Sequence, residues 1–138
     1  MWNFSHNYIS HIFPYLLFFS ELSYQKYDPI EKSYSSHDFL LDYFKKHLSE
    51  CFSEMGSSLF VWMHGCYKVS EQTLRSSIEN FIKSIGCIYF EEITKSKNTY
   101  EIIDLFEKIP FFTEPENRIF FQFLKSNYSD LCSSVHNF

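Results

Sequence analysis

Six histidines and four cysteines are the side chains with the widest chemical reach here: His6, His11, His37, His47, His64 and His136, with Cys51, Cys66, Cys87 and Cys132. Imidazole titrates near neutrality and suits acid–base work, and a thiolate is both nucleophile and metal ligand. A zinc site is built from short-spaced ligand pairs. His64-Gly65-Cys66 resembles half of such a pair, but no second short-spaced pair follows, and its partners would have to be the distant Cys87 or Cys132. The cysteine spacings of 15, 21 and 45 residues match no zinc or redox signature. His6 and His11 stand five apart and do not share a helix face. No family signature surrounds any cysteine, so a Cys–His nucleophile would have to be assembled in space alone. The expectation is no metal and no cofactor.

Carboxylates are the other candidates for chemistry. Glu91 and Glu92 are adjacent, and Glu101, Asp104 and Glu107 follow at intervals of three. On a helix these last three form a ladder along one face. Such a ladder can serve a glycosidase or a metal, but no second carboxylate cluster opposes it, and a solvated helix face is the plainer reading. With only 3 glycines, Gly56, Gly65 and Gly86, the chain has little material for a phosphate-cradling loop. No nucleotide-binding, zinc-protease or serine-hydrolase motif occurs.

What these residues do suit is binding. The segment 89–118 gathers Tyr89, Glu91, Glu92, Tyr100, Glu101, Asp104, Glu107, Phe111, Phe112, Glu114 and Glu116, seven acids against the four bases Lys95, Lys97, Lys108 and Arg118. Aromatic rings anchor interfaces, and neighbouring acids steer a basic partner toward them. Two prolines, Pro110 and Pro115, stiffen the loop that carries Phe111 and Phe112. The expected partner-binding set is Glu91, Glu92, Tyr100, Glu101, Asp104, Glu107, Phe111, Phe112 and Glu114. The alternative for Phe111 and Phe112 is that they pin the loop to the core.

The positioning elements read as helices. Over 36–55, Leu40, Leu41, Phe44, Leu48, Cys51, Phe52 and Met55 share one face, with Gly56 placed as a C-terminal stop. Over 71–85 the stripe is Leu74, Ile78, Phe81, Ile82 and Ile85, with Ser70 as N-cap and Gly86 as stop. Over 115–135, Pro115 fits the first helical position, and Phe120, Phe121, Leu124, Tyr128, Leu131 and Val135 follow at intervals of three and four. A short helix from Thr99 to Ile109 is stopped by Pro110, and residues 4–24 make a further helix kinked at Pro14. Leu59–Met63 and Cys87–Phe90 are short apolar runs that fit either two paired strands or buried helical turns; periodicity does not arbitrate runs this short. The expectation is a mainly α fold, a single domain of about five helices over 1–138, with at most a small two-stranded β element near 59–63 and 87–90.

Composition narrows the function classes. The chain has 138 residues, a net charge of −5 and no basic patch, which argues against nucleic-acid binding. The apolar run Ile12–Phe19 is too short to span a bilayer, and the N-terminus lacks a basic leader region, so no membrane partner and a reducing, cytoplasmic setting with free thiols are expected. Aromatic residues make up 21% of the chain, too many for one small core, so some must lie on the surface. The absence of Ala and the scarcity of Gly, Pro and Arg mark AT-rich coding. In this small, acidic, aromatic-rich composition the chain resembles the cytosolic immunity proteins of bacterial toxin systems, such as contact-dependent inhibition and the nuclease colicins. The resemblance implies a non-catalytic domain that neutralises a basic toxin domain by direct binding. No motif carries it, so it transfers no site residue. Two alternatives stand beside it: a phage or viral protein that binds a host defence protein, and a small enzyme whose site forms only in the fold. Stable self-association would mark a structural subunit instead.

Overall fold

The computed structural model describes residues 38–136. The expected helix over 4–24, together with His6, His11 and His37, lies outside the described residues. Five α-helices occur among the described residues: α1 (Asp38–Met63), α2 (Tyr67–Tyr89), α3 (Thr99–Glu107), α4 (Pro110–Thr113) and α5 (Arg118–His136), with a 3-10 turn at Glu91–Thr94 before α3. No strand occurs among the described residues.

The mainly α expectation holds, and the two ambiguous runs are helical. Leu59–Met63 is the last turn and more of α1, and Cys87–Tyr89 ends α2. Two glycines expected to stop helices therefore sit inside them. α1 runs through Gly56, because packing against α2 outweighs the roughly 1 kcal/mol that glycine costs in a helix. α2 runs past Gly86 and ends at Phe90, whose extended backbone (φ −136°, ψ 100°) lets its N–H donate to the Gly86 carbonyl. The glycine that does turn the chain is Gly65, between α1 and α2, with φ +80°.

Two further boundaries move for reasons of proline chemistry. A residue before proline is pushed toward extended backbone. Ile109 (φ −59°, ψ 133°) precedes Pro110, and Glu114 (φ −67°, ψ 130°) precedes Pro115. Pro110 thus closes α3 and opens α4, whereas Pro115 closes α4 and lies in a turn, and α5 begins only at Arg118. Ser70 is likewise not a cap: α2 starts three residues earlier, and Ser70 is buried within it.

α1 and α2 form a long antiparallel hairpin whose seam is polar. Ser58 Oγ donates to the Ser70 carbonyl and Ser70 Oγ donates to the Ser58 carbonyl, each at 2.9 Å. Further along, Ser77 Oγ donates to the Cys51 carbonyl at 2.8 Å, and Cys51 Sγ lies 3.5 Å from that hydroxyl. Beyond it, Glu54 accepts from Ser76 Oγ (2.7 Å) and Asn80 Nδ2 (2.8 Å), and Asn80 Oδ1 accepts from His47 Nδ1 (2.7 Å). Small side chains let the helices approach, and every buried side-chain nitrogen and oxygen among the described residues finds a partner.

The apolar core lies at the other side of α2. Ile82 packs with Ile93 of the 3-10 turn, Ile102, Ile103 and Phe106 of α3, Ile109, and Phe121 and Tyr128 of α5. Phe106 sits at its centre, 6.2 Å from the Phe81 ring and 6.4 Å from Phe121. None of the described helices is long and apolar enough to cross a membrane.

Candidate functional site

α3 buries Ile102, Ile103 and Phe106 and so turns Tyr100, Glu101 and Asp104 outward, as three-residue spacing on a helix requires. Its start is fixed by Asn98, whose Oδ1 accepts from the Tyr100 N–H at 3.0 Å. Ser96 bridges back to the 3-10 turn: its N–H donates to the Glu92 carbonyl and its hydroxyl donates to Glu101 Oε2 at 2.9 Å. Tyr100 and Asp104 then form one wall of an open groove of about 470 Å³, whose other wall is Lys125, Tyr128, Ser129 and Cys132 of α5.

The expected partner-binding residues do not all behave alike. Glu92, Glu101, Asp104 and Glu114 are exposed, and Glu107 is half-buried. Glu91 is exposed but lies 3.7 Å from Lys95 Nζ, which offsets its charge. Phe111 and Phe112 part company, since neighbouring residues on the single turn of α4 point about 100° apart. Phe112 plugs the core, its ring 5.1 Å from Phe106 and 5.6 Å from Phe121. Phe111 stays 52% exposed and stacks on Phe120 of α5, rings 6.5 Å apart at 29°. Phe112 therefore pins the loop to the core, and Phe111 does not.

α5 supplies residues that the sequence hides. Phe120 belongs by spacing to the buried stripe, yet it is 60% exposed, and Ile119 and Phe123 beside it are 65% and 71% exposed. Phe121 and Tyr128 are the ones that bury. In a helix with this many apolar residues, two overlapping stripes satisfy the same spacing rule. Phe111, Ile119, Phe120 and Phe123 are uncovered apolar side chains on two neighbouring helices.

Several other titratable groups are engaged structurally. Arg75 Nε lies 3.2 Å from Glu79 Oε1, which also accepts from the Tyr128 hydroxyl at 2.7 Å. Burial first, and then the Glu79 carboxylate, hold the Tyr128 hydroxyl protonated well above its ordinary range. Burial pushes the Cys87 thiol up to about 11 and raises that of Cys51, so both are poor nucleophiles. The suggestive His64–Cys66 pair is not brought into contact: His64 Nδ1 turns back to the Phe60 carbonyl at 2.8 Å, and its ring lies 4.3 Å from that of Phe60. Among the described residues no three His, Cys, Asp or Glu side chains converge on a metal position. No family model, curated protein or solved structure matches the chain.

Proposed function

We propose that this chain is a non-catalytic protein-binding domain that acts in the cytoplasm as an immunity-type inhibitor, neutralising a basic toxin domain by direct association. The observation that supports this most is the Phe111–Phe120 stack, two rings each more than half exposed beside Ile119 and Phe123, while Phe112 and Phe121 of the same helices pack inward. α3 leads directly into this surface and carries the outward carboxylates Glu101 and Asp104. Carboxylates on the approach favour encounter with a basic partner, and buried rings slow its release. Occlusion of the partner's active site or substrate path needs no catalytic group in this chain.

The test is capture of the tagged full chain from its source lysate, followed by co-expression with what it retains. The proposal expects a stoichiometric basic protein that is toxic alone and harmless with this chain. An acidic partner, or toxicity undiminished by co-expression, contradicts it.

A further inference from the structure

The groove between α3 and α5 carries one charge of each sign on facing walls. Asp104 stands on the α3 side and Lys125 on the α5 side, and both are exposed. Neither has an ion-pair partner among the described residues, and they do not pair with each other. The carboxylates around them are engaged. Glu101 accepts from the Ser96 hydroxyl at 2.9 Å, and Glu79 accepts from Arg75 and from the Tyr128 hydroxyl. Lys125 Nζ lies 5.8 Å from the centroid of the buried Phe121 ring, and cation–π attraction favours keeping the ammonium at that wall.

Between the two charges the lining is largely apolar. Ile103 and Tyr128 are its most buried members and form the floor. The Tyr128 hydroxyl is already committed to Glu79 on α2. Tyr100, 69% exposed, adds an aromatic side to the α3 wall. The volume of about 470 Å³ suits a small molecule, and small-molecule sites combine apolar walls with a few placed polar groups. Charge then selects the occupant. A plain cation meets Lys125, a plain anion meets Asp104, and a neutral apolar molecule desolvates both charges without compensation. A molecule with an ammonium at one end, a carboxylate at the other and methylenes between them matches both walls and the floor.

We propose that the α3–α5 groove binds a small amphoteric ligand of the ω-amino carboxylate class, its ammonium on Asp104, its carboxylate on Lys125 and its methylenes over Ile103 and Tyr128. The site does not rest on the protein-binding reading, whose anchor is the Phe111–Phe120 stack, and its test contains no protein partner. The isotope-labelled full chain is titrated with ε-aminocaproate, γ-aminobutyrate, hexylamine and caproate while its amide chemical shifts are followed. Saturable shifts centred on Ile103, Asp104 and Ser129 are expected for the ω-amino carboxylate whose length spans the walls. The amine and the acid of equal length are each expected to bind roughly fivefold more weakly, the scale of one exposed ion pair. Asp104→Asn and Lys125→Met are expected to weaken binding by a similar factor. Asp104→Lys and Lys125→Asp are each expected to abolish it, and the two together to restore it, because the ligand then binds turned end for end. Circular dichroism checks the fold of each variant, and should one unfold, the ligand series on the unaltered chain decides. Absence of saturable shifts at the groove, or equal binding of the amine or the acid, overturns the proposal. So does a folded double reversal that fails to bind.

Discussion

Ser58 and Ser70 each donate a hydroxyl to the other's backbone carbonyl at 2.9 Å, with the two hydroxyl oxygens 3.1 Å apart, in a fully buried site at the closed end of the α1–α2 hairpin. Each carbonyl thereby gains a cross-helix donor, and neither hydroxyl is left unpaired. Removing one hydroxyl breaks one donation and leaves a small void. Ser58→Ala and Ser70→Ala are each expected to cost about 1–2 kcal/mol in urea unfolding. The double variant is expected to cost measurably less than the sum, because the second loss falls on a pair already broken. Strict additivity would show that the two serines act separately.

Gly86 and Gly56 are both helical but oppositely constrained. A Cβ on Gly86 would run into Ile93 Cδ1, and Ile93 is fully buried with nowhere to retreat. Nothing lies within 4 Å of a Cβ on Gly56. Gly56→Ala is therefore expected to stabilise by roughly 0.5–1 kcal/mol through helix propensity. Gly86→Ala is expected to destabilise by about 1–3 kcal/mol through overpacking, with partial rescue by Ile93→Val, which removes the clashing methyl. Thermal melts of the four proteins decide this, and a stabilising Gly86→Ala is the outcome that refutes the packing.

Cys87 is held protonated in the fold, its value raised from 9.0 to about 11 by burial, and Tyr128 is raised in the same direction by burial and Glu79. Both folded values lie above the unfolded ones. For Cys87 the stability contributed is complete below pH 9 and is lost as pH rises through about 11, because the unfolded chain sheds its proton first; for Tyr128, raised from 10.0 to a higher folded value, the loss begins later and continues beyond that window. For Cys87 alone the loss is on the order of 2 kcal/mol. Urea unfolding from pH 8 upward should show this decline, and Cys87→Ala, though less stable throughout, should flatten it between pH 9 and 11. A slope unchanged by that substitution would place the titration elsewhere.

Much of the fold is legible in the residues, and the departures have physical causes. Phe44, Cys51 and Ile82 bury as their spacing predicts, whereas Leu48, Leu74, Ile78, Phe81 and Ile85 stay half-buried, because α2 turns Ser70, Ser77, Asn80 and Ser84 inward as well. Gly56 and Gly86 mislead because glycine marks both helix ends and close packing, and only the neighbour, here Ile93, tells them apart. The exposure of Phe120 beside the buried Phe121 is hidden because adjacent phenylalanines fit two stripes equally, and the choice is made by Phe106 and Phe112 meeting Phe121. Of the binding residues named from charge and aromaticity, Tyr100 and Asp104 meet in one groove and Phe111 remains outside, while Phe112 is consumed by the core. Ile119 and Phe123 have no sequence signal beyond their hydrophobicity, since exposure is a property of the packed helix.

The surface carboxylates and the exposed rings are expected to act on different rates. Charges at the edge of an interface change association, whereas buried anchors change dissociation. Glu101→Lys with Asp104→Lys should slow association several-fold at low salt and leave dissociation nearly unchanged. The difference from wild type should shrink at high salt, where the charges are screened.

The Phe111–Phe120 surface is the proposed anchor for the partner. Its most direct test is the dissociation rate of the captured partner from Phe120→Ala and Phe111→Ala, measured by surface-immobilised kinetics beside the unaltered chain. Dissociation is expected to be faster by about tenfold or more for Phe120→Ala, the scale of a buried aromatic anchor, with the helical content of the free domain preserved. A dissociation rate equal to that of the unaltered chain in both variants would contradict it and place the partner on another face.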